Sequence, residues 1–103
     1  MKICIPTFNR SNILLNKTLV TLKNNNIDSN LIYIFVVESE YELYKSIIGD
    51  EYNIIVGVFG LVNQRNFIEN YFDAGEHLIM LDDDVSEIDL SMTEYISLKE
   101  FFN

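Results

Sequence analysis

The 103-residue sequence has no tryptophan, one cysteine, one proline, one histidine and only seven lysines and arginines. Cys4 has no second cysteine to pair with, so a scaffold stapled by its own disulfides is excluded, and a reducing, cytoplasmic setting is expected. A lone thiol within the apolar run Ile3-Cys4-Ile5 usually serves as a small core hydrophobe. The shortage of basic residues leaves a formal net charge of −9. Such a surface is repelled by bare nucleic acid and by anionic membranes, so neither is an expected partner. No basic segment followed by an apolar one opens the chain, and no apolar run approaches the length of a bilayer span. The glycine-rich signatures G-x-G-x-x-G and G-x-x-x-x-G-K-[ST] are both missing, which argues against dinucleotide binding and against a P-loop NTPase. His77, the one histidine, precedes an apolar run and reads as structural.

Hydrophobic residues make up 49% of the chain, which is too many for a disordered segment and suits one core in a single domain over residues 1–103. Lys2 to Ile5 reads as a buried strand that Pro6 ends, since proline has no N–H for the ladder. Thr7-Phe8-Asn9-Arg10 is then a loop, with Ser11 as the expected cap of a helix whose apolar face is Leu15, Leu19 and Leu22, with Leu14 and Val20 beside it. Leu31 to Val37 is nearly all apolar, as a strand covered on both faces should be, and it ends at Glu38-Ser39-Glu40. A helix over Tyr41 to Ile48, a strand over Asn53 to Gly57 and a helix from Leu61 to Asp73 follow. That last helix has Val62, Ile68, Tyr71 and Phe72 available to face the sheet, and Ala74-Gly75 is expected to end it. A strand then climbs through Leu78-Ile79-Met80-Leu81 to Asp82-Asp83-Asp84. Ser91 to Glu94 has capping-box spacing for a final helix through Phe102.

Strands alternating with helices predict an α/β fold, a Rossmann-like parallel sheet of about four strands with flanking helices. Ligands of such sheets lie beyond the carboxyl ends of the strands. Those ends deliver Thr7, Asn9 and Arg10, then Glu38, then Gly57 and Gly60 with Asn63, Arg65 and Asn66, and finally Asp82, Asp83 and Asp84. Three adjacent carboxylates repel one another unless something positive sits among them. Carboxylate oxygen suits a hard divalent ion, Mg²⁺ or Mn²⁺. The only arginines, Arg10 and Arg65, fall at the same edge, and their forked guanidinium groups suit phosphate. Two arginines and one divalent ion would neutralise a diphosphate inside an acidic protein. Glu38 can accept hydrogen bonds from a ribose or a base edge.

Ile3-Cys4-Ile5-Pro6-Thr7-Phe8-Asn9-Arg10 resembles the I-P-[ST]-[FY]-N-R opening of nucleotide-sugar glycosyltransferases of the GT-A fold. Gly60-Leu61-Val62-Asn63-Gln64-Arg65-Asn66 resembles their G-x-x-x-x-R-N segment, and Leu81-Asp82-Asp83-Asp84 resembles their D-x-D motif. Order and spacing agree, and the set is also similar to that of the TET-associated phage and viral glycosyltransferase-like group. The resemblance covers Met1 to about Ile88. It implies the nucleotide-binding half of a GT-A fold and transfer of a hexosyl or N-acetylhexosaminyl group from a nucleotide sugar, most plainly a UDP-sugar. By position, Pro6, Thr7, Asn9, Arg10 and Gly60 would line the nucleotide pocket, and Glu38 would hold base or ribose. Arg65 would reach the diphosphate or sugar, Asp82 and Asp83 the ribose or sugar side, and Asp84, with Asp82, the Mn²⁺ or Mg²⁺ ion.

Enzymes of that family are longer and carry their acceptor site in the second half. The resemblance therefore implies a donor site with little acceptor site, and Glu87 and Asp89 are too weakly marked to name a base. A non-catalytic module that kept the scaffold for binding or assembly is the alternative. A parallel sheet ended early has an open edge, for which self-association or a covering partner is expected. A receiver-like domain would want its acidic pair after the first strand, where this chain has Thr7-Phe8-Asn9.

Overall fold

A computed structural model describes residues 1–86. Glu87, Asp89 and the helix expected from Ser91 lie outside the described residues. Four strands, β1 (Lys2–Pro6), β2 (Ile32–Val36), β3 (Asn53–Val56) and β4 (Leu78–Met80), form one all-parallel sheet in the order β3-β2-β1-β4. The parallel α/β architecture read from the sequence is the one observed.

Alternation along the strands splits their side chains between two layers. Ile3, Ile5, Ile32, Ile34, Val36 and Ile79 face one side. There they pack against Leu14, Leu19 and Leu22 of the first helical run and against Tyr44 and Ile48 of α3 (Tyr41–Ile48). Cys4 and Phe35 face the other side, under Ile68 of α4 (Leu61–Tyr71), with Phe67 and Phe72 packed around them. Burial in this second layer pushes the Cys4 thiol up to about 12, with Glu76 adding to the shift, so it stays a neutral hydrophobe.

The first helical run differs from the expected single α-helix. It comprises α1 (Ser11–Leu14), a π-helical turn (Leu15–Leu19) and α2 (Val20–Asn24). Ser11 makes no side-chain cap; it is the first helical residue, buried behind Arg10. The extra residue of the π turn lets Leu14 and Leu19, five apart, both reach the core while Thr18 turns inward. Val20, expected near the apolar face, is exposed, because two residues at ~100° each place it opposite the buried Leu22.

In α4 the residue facing the sheet is Gln64, four before Ile68, and Val62 is 70% exposed. Six residues separate Val62 from Ile68, which is about 240° around a helix at ~100° per residue, so they cannot share a face. The helix ends at Tyr71, and Gly75, at φ +91°, turns the chain into β4.

Candidate functional site

β1 lies at the centre of the strand order, with β2 and β4 on either side. The crevice beyond the carboxyl ends of the strands takes in the point between β1 and β4 where the strand order reverses, the place where open α/β sheets bind ligands. Pro6 helps to open it. Thr7 N–H donates toward β2, to the Phe35 carbonyl at 3.1 Å, whereas the Cys4 carbonyl accepts from Leu81 on the β4 side at 3.0 Å. Backbone polar groups alternate sides, so the donor that Pro6 lacks faces the side where β4 has run out.

A cleft of about 490 Å³ occupies this edge. One part of its wall is charged: Arg10 and Asp82, Asp83 and Asp84. The rest is largely apolar, from Pro6, Phe8, Val37, Val58, Phe59 and Leu61. Phe8 and Phe59 meet edge to face at 5.2 Å between centroids, and both are exposed at the lip.

The three aspartates divide by direction. Asp82 and Asp84 are exposed, whereas Asp83 is only 6% exposed. Thr7 Oγ1 donates to Asp83 Oδ2 at 2.7 Å, and Arg10 Nε lies 3.4 Å from Asp83 Oδ1. Arg10 Nη2 reaches Asp84 Oδ2 at 3.3 Å. One guanidinium thus bridges two of the three carboxylates, which relieves the repulsion that the sequence posed. Thr18 holds the loop from behind: its Oγ1 donates to the Asp82 carbonyl at 2.7 Å and accepts from Val85 N–H at 2.9 Å. Thr21 Oγ1 donates to the Val85 carbonyl at 3.0 Å.

Of the residues singled out by sequence, Pro6, Thr7, Arg10, Gly60, Asp82, Asp83 and Asp84 line the cleft together. Asn9, Glu38 and Arg65 do not line it. Asn9 adopts φ +55°, a left-handed conformation that asparagine tolerates, and its N–H donates to Glu40 Oε1 at 2.9 Å. Glu38 opens a short 3₁₀ turn, Glu38–Glu40, and is exposed; Glu40 rather than Glu38 turns back to the β1 loop. Arg65 is exposed because it follows Gln64, the residue of α4 committed to the sheet.

Three buried polar residues of the site carry no local signal in the sequence: Thr18, Tyr44 and Gln64. Gln64 Oε1 accepts from Val58 N–H at 2.9 Å, and its Nε2 donates to the Val36 carbonyl at 3.4 Å, joining the ends of β2 and β3. Gly57 makes room for it, since a Cβ there would stand 2.0 Å from Gln64 Oε1. Gly57→Ala should therefore displace a buried, hydrogen-bonded amide and cost about 1–3 kcal/mol. Denaturant midpoints check this, with Gly49→Ala as the contrast: nothing lies within 4 Å of a Cβ there, and strain at φ +77° is its only penalty.

Carboxylates are hard donors, and a Mg²⁺-like ion takes one or two of them, keeps several waters and draws its remaining ligands from substrate phosphates. Asp82 and Asp84 fit that role. Among the described residues no group of three or more His, Cys, Asp or Glu forms a protein-only metal cage. The fold and site define a parallel α/β domain with an acidic, arginine-bearing switch crevice. The chain matches no known family, characterised protein or solved structure.

Proposed function

We propose that the crevice binds a nucleotide sugar together with a divalent cation, and that it serves transfer of the glycosyl group. The observation that carries this reading is the two-sided cleft: apolar and aromatic along one part, Arg10 with Asp82 and Asp84 along the other. A nucleoside diphosphate has the same division, with a flat ring at one end and dense negative charge at the other. Arg10 would supply a forked donor to a phosphate. Asp82 and Asp84 would hold Mn²⁺ or Mg²⁺, which supplies Lewis-acid stabilisation of a leaving diphosphate when bound. The amino end of α4 opens at Gly60 and Leu61 on the same cleft, and its unpaired N–H groups favour anions. Gly60, at φ +98°, is the residue type that this entry to the helix requires.

Thermal unfolding in the presence of UDP and Mn²⁺ is the test. Binding at a hundred times Kd adds about 2.7 kcal/mol, or roughly 10–20 °C for a domain of this size. The expected result is a rise in Tm that needs both components and disappears with EDTA. An unchanged Tm with UDP, Mn²⁺ and the pair would remove the proposal. Among the described residues no helix is long and apolar enough to cross a membrane.

A further inference from the structure

We propose that Tyr44, which lies outside the cleft, is a positioning residue that presets Arg10 and the Asp82–Asp84 loop for the ligand. Tyr44 sits in the middle of α3 with 0% exposure. A tyrosine that served only as core filler would need a partner for its hydroxyl, and one would suffice. This hydroxyl has two, and both belong to the cleft loop. Arg10 N–H donates to Tyr44 Oη at 3.1 Å, and Tyr44 Oη lies 2.8 Å from Thr7 Oγ1.

The direction of the chain follows from the donors available. Thr7 has one hydroxyl hydrogen, and the carboxylate of Asp83 at 2.7 Å takes it. Tyr44 must then donate to Thr7 while accepting from Arg10. The sequence of bonds is Arg10 N–H to Tyr44 O–H to Thr7 O–H to Asp83, and it closes on itself where Asp83 Oδ1 meets Arg10 Nε at 3.4 Å. The buried hydroxyls of Tyr44 and Thr7 tie the Arg10 backbone to the Asp83 carboxylate and narrow the arrangements open to both. Asp82 and Asp84 flank Asp83 directly, so their outward direction is set by the same bonds. Burial raises the Tyr44 phenol above its ordinary range, which already lies well above neutrality.

The ligand half of this inference rests on the nucleotide-sugar reading, so two kinds of measurement separate them. Tyr44→Phe, Thr7→Val and Thr7→Ser would be compared with wild type by calorimetric titration of UDP in Mn²⁺. Folding of each would be checked from the β1 and β2 amide signals by NMR. The expected result is that Tyr44→Phe and Thr7→Val keep the sheet spectrum but bind at least tenfold more weakly. Thr7→Ser, which retains the hydroxyl, should recover most of the affinity that Thr7→Val loses. Wild-type affinity in folded Tyr44→Phe would overturn the positioning role. Should wild type itself take no UDP, the proposed function fails, and the Arg10 Nε–H resonance decides the positioning claim alone. Tyr44→Phe must then shift or broaden that resonance while the sheet amides hold, and an unchanged resonance refutes it.

Discussion

Asp83→Ala should lower Tm by roughly 10–20 °C in buffer alone, with no ligand present, whereas Asp82→Asn and Asp84→Asn should each stay within a few degrees of wild type. The three residues are adjacent and chemically identical, so any difference between them comes from direction. Asp83 is buried and accepts the Thr7 hydroxyl at 2.7 Å. Its removal leaves Thr7 without an acceptor and takes one carboxylate from Arg10. A hydrogen bond to a charged group contributes about 1.5–3 kcal/mol, and each kcal/mol is worth about 4–8 °C in a domain of this size. The Arg10 share is small, because the arginine side chain is 43% exposed and water screens the pair. Asp82 and Asp84 are exposed, and surface substitutions of this kind usually stay within about 0.5 kcal/mol. Thermal scans of the three variants in ligand-free buffer provide the check. Equal losses at all three positions would mean that the division between inward and outward carboxylates is wrong.

Asp84→Asn should in turn abolish the Mn²⁺-dependent part of UDP binding while leaving the fold in place. The substitution keeps the shape and removes the charge that would hold the cation. Removing one charged ligand of the ion is expected to weaken Mn²⁺-dependent binding at least tenfold, which corresponds to about 1.4 kcal/mol or more. Arg10 Nη2 now lies 3.3 Å from Asp84 Oδ2, and the neutral amide would also loosen that contact. The readout is the difference in titration heat with and without Mn²⁺, which should vanish in the variant. Together the two predictions dissociate stability from binding: Asp83 carries the first and Asp84 the second.

Much of the fold was legible because burial writes itself into a parallel sheet. Leu31 to Val37 is apolar almost without a break since both faces of β2 are covered, by α3 on one side and α4 on the other. The strand ends were legible to within a residue or two, at Pro6, Glu38, Gly57 and Asp82, and so was the sheet edge on which Thr7, Arg10 and the three aspartates meet. The polar interior was not. Thr18, Tyr44 and Gln64 are buried because each meets a partner far away in the chain: Asp82, Thr7 and Val36 respectively. Bonds of that kind leave no period in the sequence, so a polar residue destined for the core looks like any other. Local phase was the second obstacle. Val20 lies about 100° from Leu19 and opposite Leu22, so it faces outward, and the π turn at Leu15–Leu19 brings Thr18 inward instead. In α4, one position separates the inward Gln64 from the exposed Arg65, and ~100° of helix is enough to take an arginine out of the cleft. Glu38 shows the same sensitivity, since a single 3₁₀ turn presents Glu40 to Asn9 in its place.

The most direct measurement is a calorimetric screen of UDP-, GDP- and ADP-sugars against the wild-type chain, with Mn²⁺ and with EDTA. A crevice built from Arg10, Asp82 and Asp84 beside the Phe8–Phe59 lip predicts saturable heat for at least one nucleotide sugar, lost in EDTA and lost in Asp84→Asn. Absence of heat for every nucleotide sugar in Mn²⁺, or heat that is unchanged by EDTA and by Asp84→Asn, would contradict it.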